Sequence, residues 1–129
     1  PKIIGISKAL DLTFSGRIID SQEALDLSLI SSIHKPENLI SDALNIAQEL
    51  VEKSAPISIA ITRQMLWRSF SQSEPYDAHV IESKAMDSRG ASDDAKEGVN
   101  SFLEKRPAKF TNLISSDMPD FFPWWDDKE

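Results

Sequence analysis

The chain has 129 residues, a formal charge of −7 and no cysteine. That length allows one domain or a piece of one, and without thiols there are no disulfides, zinc–thiolate sites or cysteine nucleophiles. The acidic balance argues against a nucleic-acid partner, which needs a basic patch, and no apolar run approaches the roughly 18 residues of a membrane span.

In chain order, Ser7 is placed to cap a first helix carrying Ala9, Leu10, Leu12 and Phe14. Ser15-Gly16 ends it, since glycine takes the left-handed conformation that closes a helix. Asp20 reads as the next N-cap, with Glu23 at the capping-box spacing. Ala24, Leu25 and Leu27 follow, and the β-prone Leu29-Ile30 is expected to run extended into Ile33. His34-Lys35-Pro36 is a break. A long helix is then predicted over 37–53, with Leu39, Ile40, Ala43, Leu44, Ala47, Leu50 and Val51 forming one apolar stripe that should face a core. Glu37, Asp42, Glu49 and Glu52 decorate its other side.

Ser54-Ala55-Pro56 ends that helix and starts another running to about Ser69, because proline is tolerated in a first turn and not in an interior. Arg63 and Arg68 on it could hold a phosphate. With no glycine-rich loop beside them, surface pairing fits better. Gln72-Ser73-Glu74-Pro75 leads into a helix over 76–88 with the stripe Ala78, Ile81 and Ala85, and Arg89-Gly90-Ala91 breaks it. Ser92 caps a final helix over 93–105; Asp93-Asp94 and Lys105-Arg106 complement the two ends of its dipole, and Pro107 blocks continuation.

The stretch 111–129 lacks helical period and carries Phe121, Phe122, Trp124 and Trp125 around Pro123. Each large side chain of this kind gains about 1.5–3 kcal/mol on burial. The tail is therefore expected to lie across its own or a neighbouring subunit; a disordered acidic tail is the alternative. The fold class that results is all-α, with about six helices over 1–110 and an irregular aromatic tail over 111–129.

The chemistry-bearing residues do not converge in sequence. His34 and His79 each stand without a motif and read as surface or interface residues. No His-x₃₋₅-His, His-Glu-x-x-His, Gly-x-Ser-x-Gly, P-loop or dinucleotide fingerprint is present. No catalytic pair and no metal site can be nominated.

Two stretches nevertheless carry a family pattern. The first is Lys2-Ile3-Ile4-Gly5, Lys8-Ala9-Leu10, Ser15-Gly16-Arg17, Ile19-Asp20-Ser21, Ala24 and Leu29-Ile30. The second is Ser92-Asp93-Asp94-Ala95-Lys96-Glu97-Gly98-Val99 followed by Ser101-Phe102-Leu103-Glu104-Lys105-Arg106-Pro107, close to a recurrent D-x-x-E-G-x-x-A-F-x-E-K-R. In register over about residues 1–110, the chain resembles the enoyl-CoA hydratase/isomerase (crotonase) superfamily downstream of its catalytic core.

The resemblance implies the C-terminal helical part of a crotonase-like α/β spiral fold, in an enzyme of acyl-CoA and fatty acid metabolism. In that family two backbone N–H groups stabilise a thioester oxyanion, and hydratases add paired glutamates that activate water. All of these lie upstream of the position matching Pro1, so the isolated chain is expected to be inactive. The chain starts without an initiator methionine and is expected to be a C-terminal fragment. Phe102 and Lys105 match an aromatic and a basic residue that contact the adenine and phosphate end of coenzyme A, the thioester carrier; no other cofactor is implied. The alternative is that Phe102 is core and Lys105 only a dipole partner. A second family aromatic aligns with Met86, so one adenine contact is altered. Ser28 stands where the family usually has glycine, so that turn differs or the side chain is tolerated.

The family also implies a homo-oligomer, a trimer or a hexamer, with a cytoplasmic location as default. The competing reading is a stand-alone, non-catalytic helical module for oligomerisation or partner binding.

Overall fold

The computed structural model describes residues 1–70 and 74–125. Gln72 and Ser73, in the turn expected before residue 75, lie outside the described residues. Among the described residues the helices are α1 (Gly5–Ser15), α2 (Ser21–Asp26), α3 (Leu39–Lys53), α4 (Pro56–Ser69), α5 (Pro75–Gly90) and α6 (Asp93–Glu104). The described residues contain no strand. The chain divides by packing into two units, Pro1–Asn45 and Ile46–Glu129. The tail from 111 therefore belongs with the helices that precede it, and the packing boundary falls inside α3.

In the first unit, α1 starts two residues before Ser7. Gly5 at φ 74° turns the chain into the helix, and Ser7 lies inside it. Gly16 closes α1 in the left-handed conformation at φ 60°, its N–H donating to the Leu12 carbonyl. Asp20 caps α2 by accepting the Glu23 N–H at 2.7 Å. The capping box is only half made, because the Glu23 carboxylate turns to Arg17, which donates to both its oxygens.

The end of α2 corrects the expectation of an extended Leu29-Ile30. Ser28 N–H donates to the Leu25 carbonyl at 2.8 Å and Leu29 N–H to that of Ala24 at 2.9 Å, with Ser28 at φ 57°. This is a Schellman closure, in which the residue at the left-handed position is usually glycine. Ile30 N–H bonds back to Ala24 as well. The local carbonyls of α2 thus take the N–H groups that a strand ladder would use.

The stripe of α3 also departs from expectation. Leu39, Ile40, Leu44, Leu50 and Val51 are all exposed, and α3 buries no residue. The amphipathic pattern is real; the described residues supply no surface to cover it.

The second unit holds the core. Pro56 and Pro75 occupy the first turns of α4 and α5, where a missing N–H costs nothing. Ile57 and Ile61 of α4 are fully buried beside Ala85 of α5, and Met65, Met118, Phe121, Phe122 and Trp124 pack against them. The aromatic tail therefore covers its own α4–α5 pair. Its rings meet largely edge to face, Phe122–Trp125 at 5.1 Å and Trp124–Trp125 at 4.9 Å. Such pairs add about 0.5–1.5 kcal/mol each beyond area burial.

Candidate functional site

Helix α6 starts where the sequence puts it. The Ser92 hydroxyl accepts the Ala95 N–H at 3.2 Å, and Asp93 and Asp94 follow in the first turn. Asp94 does more than complement the dipole. It is 3 % exposed, and its Oδ1 accepts the N–H groups of Thr111 at 2.8 Å and Asn112 at 3.2 Å. One turn on, Glu97 accepts from Arg106 Nη1 at 2.5 Å and Nη2 at 2.9 Å, and from the Lys109 N–H at 2.7 Å. The Asp-x-x-Glu part of the motif is thus a staple, holding the chain after α6 back along the helix. The Arg106 pair and the Lys109 N–H together hold the Glu97 carboxyl down at about 2, and the same carboxylate raises Arg106.

This leaves the last turn of α6 for the two residues picked out in sequence. Lys105 N–H donates to the Phe102 carbonyl at 3.3 Å and Arg106 N–H to that of Ser101 at 3.1 Å, a second Schellman closure. Lys105 sits at its left-handed position, φ 53°, where glycine would be unstrained. Phe102 is 81 % exposed, with Val99 and Leu103 also open beside it. It is not core. Arg106 is taken up by Glu97 and Glu104, whereas no ion pair to Lys105 occurs among the described residues. Met86, on α5, is exposed too.

The other sequence candidates fall elsewhere. Arg68 meets the tail: its guanidinium carbon stacks 3.5 Å from the centroid of Trp125. His34 has partners that its surroundings in sequence did not suggest. Its Nε2 is hydrogen-bonded to Ser32 Oγ and its Nδ1 to Asp42 Oδ2, both at 2.6 Å. The ring ties the break before α3 to that helix's first turn; the signal was Asp42 there, within reach of a half-buried imidazole. His79 lies 3.8 Å from Glu82, one turn along α5. Among the described residues, no three histidine or acidic side chains converge to hold a metal, and no helix is long and apolar enough to cross a membrane.

The chain carrying this stapled helix is similar in fold to the matching part of a probable enoyl-CoA hydratase/isomerase from Mycobacterium abscessus. The TM-score is 0.81 at 24 % identity, over 88 % of this chain and 44 % of that one. An enoyl-CoA hydratase/isomerase from Cupriavidus metallidurans CH34 matches at 27 % identity and a TM-score of 0.76, over 88 % of this chain and 43 % of that one. In sequence, a probable enoyl-CoA hydratase of Bacillus subtilis (strain 168) is 38 % identical over 112 residues, 85 % of this chain and 42 % of the relative. The family model for enoyl-CoA hydratase/isomerase matches residues 1–113. The chain belongs to the enoyl-CoA hydratase/isomerase family. It spans about two-fifths of the length of the curated relatives it matches.

Proposed function

We propose that this chain is the C-terminal helical portion of an enzyme acting on acyl-CoA thioesters, a hydratase-like lyase or an enoyl-CoA isomerase, and that α6 presents Phe102 and Lys105 to coenzyme A. The observation that carries this reading is the last turn of α6. An aromatic ring stands open to solvent, and three residues on a lysine occupies a backbone position better suited to glycine. Strain of this kind persists where the side chain has a use. A purine stacks on such a ring, and an ammonium beside it meets phosphate. Asp94 and Glu97 fix the helix and the chain that follows it; they are positioning residues and do not touch the ligand.

The chemistry itself belongs upstream. Oxyanion donors and a carboxylate pair would polarise the thioester and move the proton. None of them falls in this chain, so the isolated 129 residues should bind poorly and turn nothing over. The open stripe of α3 supports a role in assembly, because so many exposed apolar side chains on one helix call for a covering surface. A homo-trimer or hexamer in the cytoplasm meets that need. The same stripe also favours the second reading, a non-catalytic helical assembly module.

Hydration of a short trans-2-enoyl-CoA, assayed on the whole protein and on the isolated chain, separates the two. Turnover by the whole protein alone supports the enzyme. If the whole protein assembles through this region and turns over no enoyl-CoA, the module reading stands and the enzyme reading falls.

A further inference from the structure

Between α4, α5 and the tail lies a cavity of about 530 Å³, within the usual range for a small-molecule site. Its walls are apolar: Ile61 and Met65 from α4, Ala85 from α5 and Trp124 from the tail. Two arginines, Arg68 and Arg89, also line it. Arg68 is engaged by Trp125. Arg89 is different. It is half-buried, its Nε is buried without a hydrogen-bond partner, and its Nη2 meets only the hydroxyl of the adjacent Ser88, at 3.2 Å.

The carboxylate among the lining residues, Glu82, lies 3.8 Å from His79, and no ion pair to Arg89 occurs among the described residues. A guanidinium taken partly out of water without a counter-charge is costly. Placed at the wall of an apolar cavity, it is complementary to one kind of guest. That guest is an amphiphile with a hydrocarbon body and a single anionic head.

The geometry points to a second ligand site here, one that takes a medium-chain aliphatic carboxylate. Its chain lies against Ile61, Met65 and Trp124, and its carboxylate is received by Arg89. This site is separate from the turn carrying Phe102 and Lys105, and it does not depend on catalysis by the protein. The Arg89 guanidinium at the cavity wall marks the place of the head group, and the cavity sets the length of chain that can follow.

The test uses decanoate as probe on the whole protein, read by tryptophan fluorescence and calorimetry, with decanol as the uncharged control. A charge-assisted hydrogen bond predicts that decanoate binds at least about tenfold tighter than decanol. Arg89→Leu should abolish that preference with the helical circular dichroism unchanged, and Arg89→Lys should restore part of it. Equal binding of decanoate and decanol would overturn the assignment. So would undiminished decanoate binding by Arg89→Leu, or no binding of decanoate by the wild-type protein.

Discussion

Glu97 and Arg106 face each other through two N–H···O bonds, of 2.5 and 2.9 Å, across the end of α6. The pairing folds the chain back on the helix that precedes it. It also gives the D-x-x-E-G…E-K-R pattern a mechanical meaning: the acids and the arginine are spent on holding the turn, which leaves Phe102 and Lys105 outside.

That pairing makes stability depend on acid. The folded Glu97 carboxyl sits at about 2 against the usual 4.5, so its contribution is complete above about pH 5 and fades as pH falls from 4.5 towards 2. Denaturant midpoints measured from pH 7 to pH 2 should show wild type losing stability in that window. Glu97→Gln should start lower at pH 7 and lose less, the two curves converging near pH 2. Parallel curves would show that the pair does not carry the dependence.

Asp94 gives a prediction without a charge-pair component. Asp94→Ala removes the acceptor of two backbone N–H groups, at residues 111 and 112, in a buried place. The expected cost is about 1–3 kcal/mol, the range for losing part-buried hydrogen bonds to a charged acceptor. Equilibrium unfolding in urea measures it. Hydrogen exchange at Thr111 and Asn112 should rise in the same variant.

At Ser28 the change should run the other way. The residue holds φ 57° in a glycine-type closure of α2. Ser28→Gly relieves a left-handed strain of about 1 kcal/mol, partly offset by the greater freedom of glycine in the unfolded chain. Thermal unfolding should show a small gain in Tm, and Ser28→Val a clear loss.

The tail is predicted to be part of the fold. Trp124 packs on the cluster of Ile57, Ile61 and Ala85 and meets Trp125 and Phe122 edge to face. Trp124→Ala should cost about 1.5–3 kcal/mol, the value of a large side chain withdrawn from water, and should expose the α4–α5 pair to proteolysis. An unchanged unfolding midpoint would return the tail to the solvent.

Local grammar was legible in the residues. Asp20 and Ser92 cap as their spacing says, Gly16 closes α1, and the prolines at 56 and 75 sit in first turns, because these signals act within four or five positions. What could not be read depends on distant chain. Glu23 meets the spacing of a capping box and still turns to Arg17, since a guanidinium outcompetes a backbone N–H for it. Asp94 finds its partners 17 and 18 residues on, and no period encodes that return. The α3 stripe predicted a covered face, and its cover is not among the described residues. Of the candidate site, Phe102 and Lys105 came from resemblance alone; periodicity could not tell an exposed phenylalanine from a core one. Arg89 reads in the sequence as part of a break; α5 runs through it to Gly90, and the packing of α4, α5 and the tail places it at a cavity.

The most direct test is calorimetry of coenzyme A binding to the whole protein, wild type against Phe102→Ala, with Tm recorded for both. Because the ring is 81 % exposed, its removal should leave stability within about 0.5 kcal/mol. Loss of a base stack should weaken binding about tenfold or more, and Lys105→Ala should weaken it further in a salt-dependent way. Unchanged affinity in Phe102→Ala, with the fold intact, would contradict the account and remove the last turn of α6 from the coenzyme site.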